Sequence, residues 1–360
     1  MTAKITYYDF CNLQYAGFYL NGFQENAQER GYRLVVSHNQ PSELTRINLN
    51  EERRTKYLSL YLIFRYEGDE TFLFAIDTSD LNGDMSQGWD CNPLLDVCRH
   101  YFKVNYNKEA IEANPELAPY QDKILPVPIV FPVAVYQPWH FHPKLTSVHG
   151  SAWPRKAILR RFKSLRNIPS LSDYRRMRVV PKDLDVFFIA SIYSEAGRAY
   201  NREINDHRKA IVEGLNKYSR YNILARYIDV NGTAEGLGSY VIPRMKLSQY
   251  LDLMSRSRIG IYVRGFFGCL SFKFGELMAM GIPVVGESIL NNREMMYGFN
   301  YFQEEFAYDE PEEIVERSIY LLEHPALIDE YRRANTETFE KHLSPGPVVS
   351  AILDQIEKQL

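Results

Sequence analysis

Between Gly265 and Glu287 the chain reads GFFGCLSFKFGELMAMGIPVVGE, with Lys273 and Glu276 as charges in an otherwise core-like helix. Three residues apart, they lie on neighbouring faces of one helix. Polar groups inside an apolar helix are costly without partners, so these two need something to bind. An ordinary solvated ion pair is the alternative, and it fits an amphipathic helix better than one made mostly of Phe, Leu, Met and Ala. Ser271 is expected as the N-cap and Gly281 as the stop. A helix start offers free N–H groups to anions. Ser271 and Lys273 would add a hydroxyl and a cation, Gly265 and Gly268 would let backbone approach a phosphate, and Arg264 stands at the end of the preceding strand. A carboxylate at Glu276 can accept two hydrogen bonds from a ribose diol. The chemistry expected is binding of a nucleoside diphosphate.

Such a site has to be positioned by strands and helices. From about residue 183 the sequence alternates VFFIAS, REINDHRKAIVEGLNKY, YNILARYIDV, LSQYLDLMSRS, RIGIYV, SFKFGELMAM and IPVVGE. Short strands between helices of ten or more residues imply βαβ units and a parallel sheet. The N-terminal part, with ITYYDF, GFQENAQERG, RLVVS, YLSLYLIFRY, TFLFAIDTSD and KILPVPIVFPV, reads as a second α/β unit. A chain of 360 residues is too long for one ordinary core. The expected division is a domain over 1–150, a basic connection over 151–182, a domain over 183–343 and a last helix over 344–360.

The stretch SRSRIGIYVRGFFGCLSFKFGELMAMGIPVVGE resembles the nucleotide-sugar signature in the C-terminal domain of GT-B-fold glycosyltransferases, S-x-K/R-x-x-E-x-x-A-x-G-x-P-V. The resemblance implies two Rossmann-like domains facing across a cleft. It also implies metal-independent transfer of a sugar from a nucleotide-diphosphate sugar to an acceptor hydroxyl, with no cofactor beyond that co-substrate. In the family the glutamate matching Glu276 binds the donor ribose, while the residues matching Gly268, Ser271 and Lys273 face the diphosphate. Many retaining members carry a second glutamate where this chain has Gly268, so the likeness does not extend to that subgroup. The final helix is expected to pack back on the N-terminal domain. A nucleotide-sugar epimerase of the same fold, or a non-catalytic glycan- or partner-binding member, is the alternative function.

In that frame a cation from the loop after VFFIAS is expected at the diphosphate, with Arg198 and Arg202 as candidates because arginine presents a fork of donors. Either arginine would serve equally as a surface residue on a helix start. Inverting transfer needs a base. Asp77, directly after FLFAI, is the first candidate, set against a role in capping the next turn, with Asp80 three residues on. His149 is the second, because histidine titrates near neutrality, and Asp9 after the first strand is a further cleft residue. His140 and His142 lack a nearby carboxylate and read as loop residues. Asp183 and Asp185 form an Asp-x-Asp pair at the amino end of a strand, away from the ligand edge, so no metal is expected. GxxxxGK and GxGxxG are both absent, which disfavours kinase, ATPase and ordinary dehydrogenase readings.

Net charge is −3, which speaks against a generic nucleic-acid binder. Yet the segment from Ser151 to Lys182 holds ten Lys or Arg against one acid, Asp173. It reads either as a peripheral contact with an anionic membrane or a phosphate-bearing or lipid-linked acceptor, or as a solvated connector. No run long enough for a membrane span and no signal-peptide pattern is present. The four scattered cysteines suggest a reducing, cytoplasmic setting.

Overall fold

The computed structural model describes residues 3–9, 11, 13–37, 39–45, 60–80, 92–128, 130–136, 167–194, 199–229, 238–292 and 310–358. His140, His142, His149 and Arg198 lie outside the described residues, as do residues 151–166 of the basic connection.

Six strands form the N-terminal sheet: β1 (Lys4–Tyr8), β2 (Arg33–Ser37), β3 (Tyr61–Glu67), β4 (Thr71–Asp77), β5 (Cys98–Lys103) and β6 (Ile124–Pro126), in the order β2-β1-β3-β4-β5-β6. β3 runs antiparallel to both neighbours, and every other pairing is parallel. The reversal follows from the link between β3 and β4, Gly68-Asp69-Glu70, which is long enough for a hairpin and too short for a crossover. One face packs Ile5, Tyr7, Phe64, Phe74 and Phe102 against Phe18 and Phe23 of α1 (Leu13–Arg30). The other face packs Tyr8, Ile63, Leu73, Ala75 and Tyr101. With both faces covered, the strands read as nearly continuous apolar runs.

The connection ends in helix α2 (Leu171–Met177), started by a capping box in which Ser170 N–H donates to Asp173 (2.8 Å) and Asp173 N–H to Ser170 Oγ (3.2 Å). Arg175 and Arg178 both reach Glu340, Arg176 pairs with Asp173, and Arg178 Nε donates to the Ala279 carbonyl at 2.8 Å. These cations of the basic segment therefore hold the connection in place.

The second sheet is parallel throughout. Its strands β7 (Leu184–Ile192), β8 (Ile223–Asp229), β9 (Val241–Ile242), β10 (Ser257–Tyr262) and β11 (Val284–Gly286) lie in the order β11-β10-β7-β8-β9. Helices α3 (Ala199–Asn216), α4 (Leu247–Ser255) and α5 (Phe272–Ala279) follow β7, β9 and β10. The chain runs outward from β7 to β9 and then returns to the other side of β7, so strand order reverses between β7 and β10. Open α/β sheets bind ligands at the carboxyl edge of such a reversal. Asp183 and Asp185 sit at the opposite, amino edge, paired with Arg256 and Arg258.

Helices α6 (Pro311–Glu323), α7 (Pro325–Thr338) and α8 (Pro345–Glu357) close the chain. α8 lies along α1, where Asn26 donates to the Gly346 carbonyl at 2.9 Å. Arg30 meets Ser350 Oγ at 2.6 Å, Asp354 at 2.5 Å and Glu357 at 3.0 Å. The last helix thus belongs spatially to the N-terminal sheet.

Candidate active site

Helix α5 begins where the sequence places it. Ser271 is the N-cap in extended conformation but makes no side-chain capping bond, which leaves its hydroxyl for the space in front of the helix. Gly281 ends the turn at φ +63°, with its N–H on the Met278 carbonyl and that of Ile282 on Leu277. A side chain there would meet Thr336 Oγ1 at 2.3 Å.

A cavity of about 560 Å³ opens at the carboxyl edge of β7 and β10, lined by Ser191, Tyr193, Arg208, Ser271, Lys273 and Glu276 among others, and reached from the N-terminal domain by Gln14 and Pro132. Three of the expected donor residues, Ser271, Lys273 and Glu276, therefore meet in one place. Lys273 Nζ donates to the Ile189 carbonyl at 2.7 Å and lies 4.9 Å from the Phe188 ring centre. Burial first, and the Arg208 charge second, push its ammonium down to about 7, while Glu276 pulls the other way. Burial pushes the Glu276 carboxyl up to about 8 against the opposing pull of Lys273 and a hydrogen bond with Tyr174. The two groups share a dry wall and titrate as a pair.

Arg208, from the middle of α3, was not among the sequence candidates. It is buried, donates to the Ser191 carbonyl at 2.6 Å and the Arg264 carbonyl at 3.3 Å, and stacks 4.7 Å from the Tyr193 ring centre. Its Nε has no hydrogen-bond partner among the described residues. A fixed guanidinium with an orphan donor at the cavity wall is equipped to take an anion. Its only sequence signal is the helical period of α3, which turns Arg208 toward the strand end and Arg202 toward solvent.

Arg202 is exposed and lines a separate outer depression with Glu203, Asp206 and His207. Arg264 is held at the rim, its backbone N–H on Glu287 and its Nε 3.4 Å from the same carboxylate. Gly265 and Gly268 bound a tight turn, Phe266–Gly268, in which both Phe267 (φ 56°) and Gly268 (φ +71°) are left-handed. The turn holds Gly268 in the left-handed region, and neither glycine is among the residues lining the cavity.

Asp77, the first candidate base, lies at the buried end of β4. Its carboxylate is fully buried, 3.0 Å from the buried Lys103 ammonium, and accepts from Tyr101 Oη and Ser79 N–H, each at 2.8 Å. With both oxygens engaged and no path to solvent, it holds the end of β4 together. Asp80, three residues on, is the exposed carboxylate of the two. Desolvation by the surrounding protein holds its carboxyl above the ordinary range, while a hydrogen bond with Cys269 and the Lys103 charge act against that rise. Asp9, at the end of β1, is buried.

Residues 202–354 match the family model described as "Glycosyl transferase-like". Over those residues, less than half of the chain, the sequence is similar to that family. Solved structures similar to this chain include glycosyltransferases. HepE (Alr3699) of Anabaena, solved with UDP and glucose, is 11% identical over 93% of this chain and 89% of its own, with a TM-score of 0.44. A glycosyltransferase from Rickettsia africae is 14% identical over 92% and 72%, with a TM-score of 0.40. The Thermobaculum terrenum O-GlcNAc transferase K341M mutant is 14% identical, with a TM-score of 0.35 and half of this chain aligned. The match spans about a third of that enzyme's length, 36%. No curated protein matches. Among the described residues no cluster of three or more His, Cys, Asp or Glu is arranged to hold a metal ion, and no helix is long and apolar enough to cross a membrane.

Proposed function

We propose that this chain is a glycosyltransferase that holds a nucleotide-diphosphate sugar in the cavity at the β7/β10 edge and transfers its sugar to an acceptor hydroxyl entering from the N-terminal domain. The observation that carries the reading is the convergence of Arg208, Lys273, Ser271 and Glu276 on one cavity at the reversal of strand order. Arg208 and Lys273 supply the charge that a diphosphate needs and that would stabilise it as a leaving group. Ser271 adds a hydroxyl at an uncapped helix start. Glu276, next to Lys273 on the same wall, is placed for the ribose diol.

Asp80 takes the role of base: its carboxyl hydrogen-bonds Cys269 of the donor-side loop, and its raised affinity for protons suits it to accept one from an acceptor hydroxyl. Tyr15 of α1 packs against Phe272 with ring centres 5.3 Å apart and planes tilted by 60°, bringing the acceptor-side domain against the start of α5. Metal-independent transfer is part of the proposal, since the two cations of the cavity supply the countercharge. The cations between 155 and 166 are where a phosphate-bearing or lipid-linked acceptor would be sought.

Product analysis with UDP-, GDP-, CMP- and TDP-sugars tests the reading. Transfer to an acceptor, or slow hydrolysis of one donor without it, is the expected outcome. Conversion of the donor into its epimer with no acceptor present would assign an epimerase, and binding without turnover a non-catalytic member. Lys273→Ala and Glu276→Ala are expected to weaken nucleotide binding in calorimetry with the fold intact; unchanged affinity for every nucleotide the wild type binds would remove the assignment.

A further inference from the structure

Four asparagines, two from each domain, meet beside the donor-side turn. Asn291 Nδ2 donates to Asn105 Oδ1 at 2.5 Å and to the Phe267 carbonyl at 2.9 Å, and Asn107 Nδ2 donates to Asn291 Oδ1 at 2.9 Å. Asn105 Nδ2 donates to the Asp80 carbonyl and, at 3.5 Å, to that of Phe267. Asn292, itself left-handed at φ 60°, exchanges bonds with Tyr106: N–H to O at 2.7 Å, and Tyr106 N–H to Asn292 Oδ1 at 3.0 Å. Asn105, Asn291 and Asn292 are almost fully buried. A carboxamide both donates and accepts, so this junction is satisfied without charge, and each link depends on its neighbour.

We propose that Asn105 is a positioning residue that keeps the turn bearing Asp80 in register with the donor-side turn at Phe267; this rests on reading Asp80 as the base. One side chain bonds the backbone of the acceptor-side turn and, directly and through Asn291, the backbone of the donor-side turn. Phe267 occupies a backbone region costly for a bulky residue, and such conformations persist where surroundings over-determine them. Here its carbonyl is held by asparagines from both domains. The turn in turn sets Phe266 against Tyr193, with ring centres 4.3 Å apart, and Tyr193 lies over the Arg208 guanidinium. Loss of the Asn105 link is therefore felt at Asp80, while the packing of Phe266 on Tyr193 and of Tyr193 on Arg208 keeps the donor cation in place.

Asn105→Ala in the full-length protein tests this, read by turnover of the active donor, by amide hydrogen exchange over 265–271 with and without UDP, and by thermal midpoint. The expected result is faster exchange over 265–271 and a fall in kcat of about 100-fold, the scale of a misplaced reacting group, with donor KM unchanged. Asn105→Ala added to Asp80→Asn is expected to cost nothing further, because the two act on one step. An equal loss in both backgrounds, or a lowered thermal midpoint with kcat and exchange as in wild type, overturns the proposal. Wild-type turnover by Asp80→Asn alone would instead remove the base reading; the register role is then decided by the exchange rates, and unchanged exchange overturns it.

Discussion

The Lys273 ammonium lies 2.7 Å from the Ile189 carbonyl oxygen, so the cation of the donor helix is anchored on the strand that forms the other wall of the cavity. The anchor fixes its position while burial weakens its hold on a proton. A diphosphate arriving there restores the charge. Lys273→Met should weaken UDP or GDP binding by about 10- to 100-fold, the scale of one charge-assisted hydrogen bond.

The same lysine fixes a pH dependence. In the empty protein it is neutralised progressively above about pH 7, so binding an anion at higher pH must be accompanied by proton uptake. Nucleotide affinity is expected to fall as pH rises above 7, by up to about tenfold per unit. Ionisation of Glu276 near pH 8 adds repulsion in the same direction. Titration calorimetry from pH 6 to 9 checks it; a flat wild-type profile, or one that survives Lys273→Met unchanged below pH 8, would contradict the assignment.

Arg208→Lys keeps the charge and gives up the fork that spans the Ser191 and Arg264 carbonyls. Lysine cannot hold both carbonyls and present a further donor in one plane. Nucleotide affinity is expected to drop in this variant as it does in Lys273→Met, while Arg202→Ala, on the outer surface, leaves it unchanged. Equal effects of the two arginine changes would move the diphosphate out of the cavity.

Much of this site was legible because α5 carries its chemistry at fixed spacing. Ser271, Lys273 and Glu276 occupy the cap, first turn and second turn of one helix, and helical geometry alone brings them to one wall. The parallel order of the second sheet was legible from alternating periods for the same reason. Arg208 and the Asn105–Asn291 contact were not, because they depend on which face of α3 meets β7 and on how two domains meet, and neither leaves a local pattern. Asp77 ends β4 and Asp80 follows three residues later. Sequence places both at the sheet edge, but only the inward Lys103, from the next strand, decides which is buried.

That distinction separates two neighbouring carboxylates in an experiment. Asp77→Asn leaves the buried Lys103 charge uncompensated and is expected to cost about 3–5 kcal/mol. For a domain of this size that lowers the melting temperature by roughly 10 °C or more. Asp80→Asn, at an exposed edge, is expected to leave melting nearly unchanged and remove transfer. Calorimetric melting and donor turnover measured on both variants decide it, and a stable but inactive Asp77→Asn would return the base to Asp77.

His100 gives the N-terminal sheet an acid limit. It is fully buried on β5 between Phe72 and Phe102, with ring centres 5.4 and 6.3 Å away, and neither ring nitrogen has a hydrogen-bond partner among the described residues. Burial first, and Arg99 second, push its pKa from 6.5 down to about 4. The unfolded chain therefore binds this proton more readily than the folded one. The stability at stake is fully present above pH 6.5 and is lost as pH falls toward 4, amounting to about 2 kcal/mol by pH 5 and about 3 kcal/mol in full. His100→Leu removes the titrating group while keeping an apolar side chain between the two rings. Urea unfolding at pH 7 and pH 5 should show the wild type losing that increment relative to His100→Leu, and parallel losses in the two proteins would mean that other groups set the acid limit.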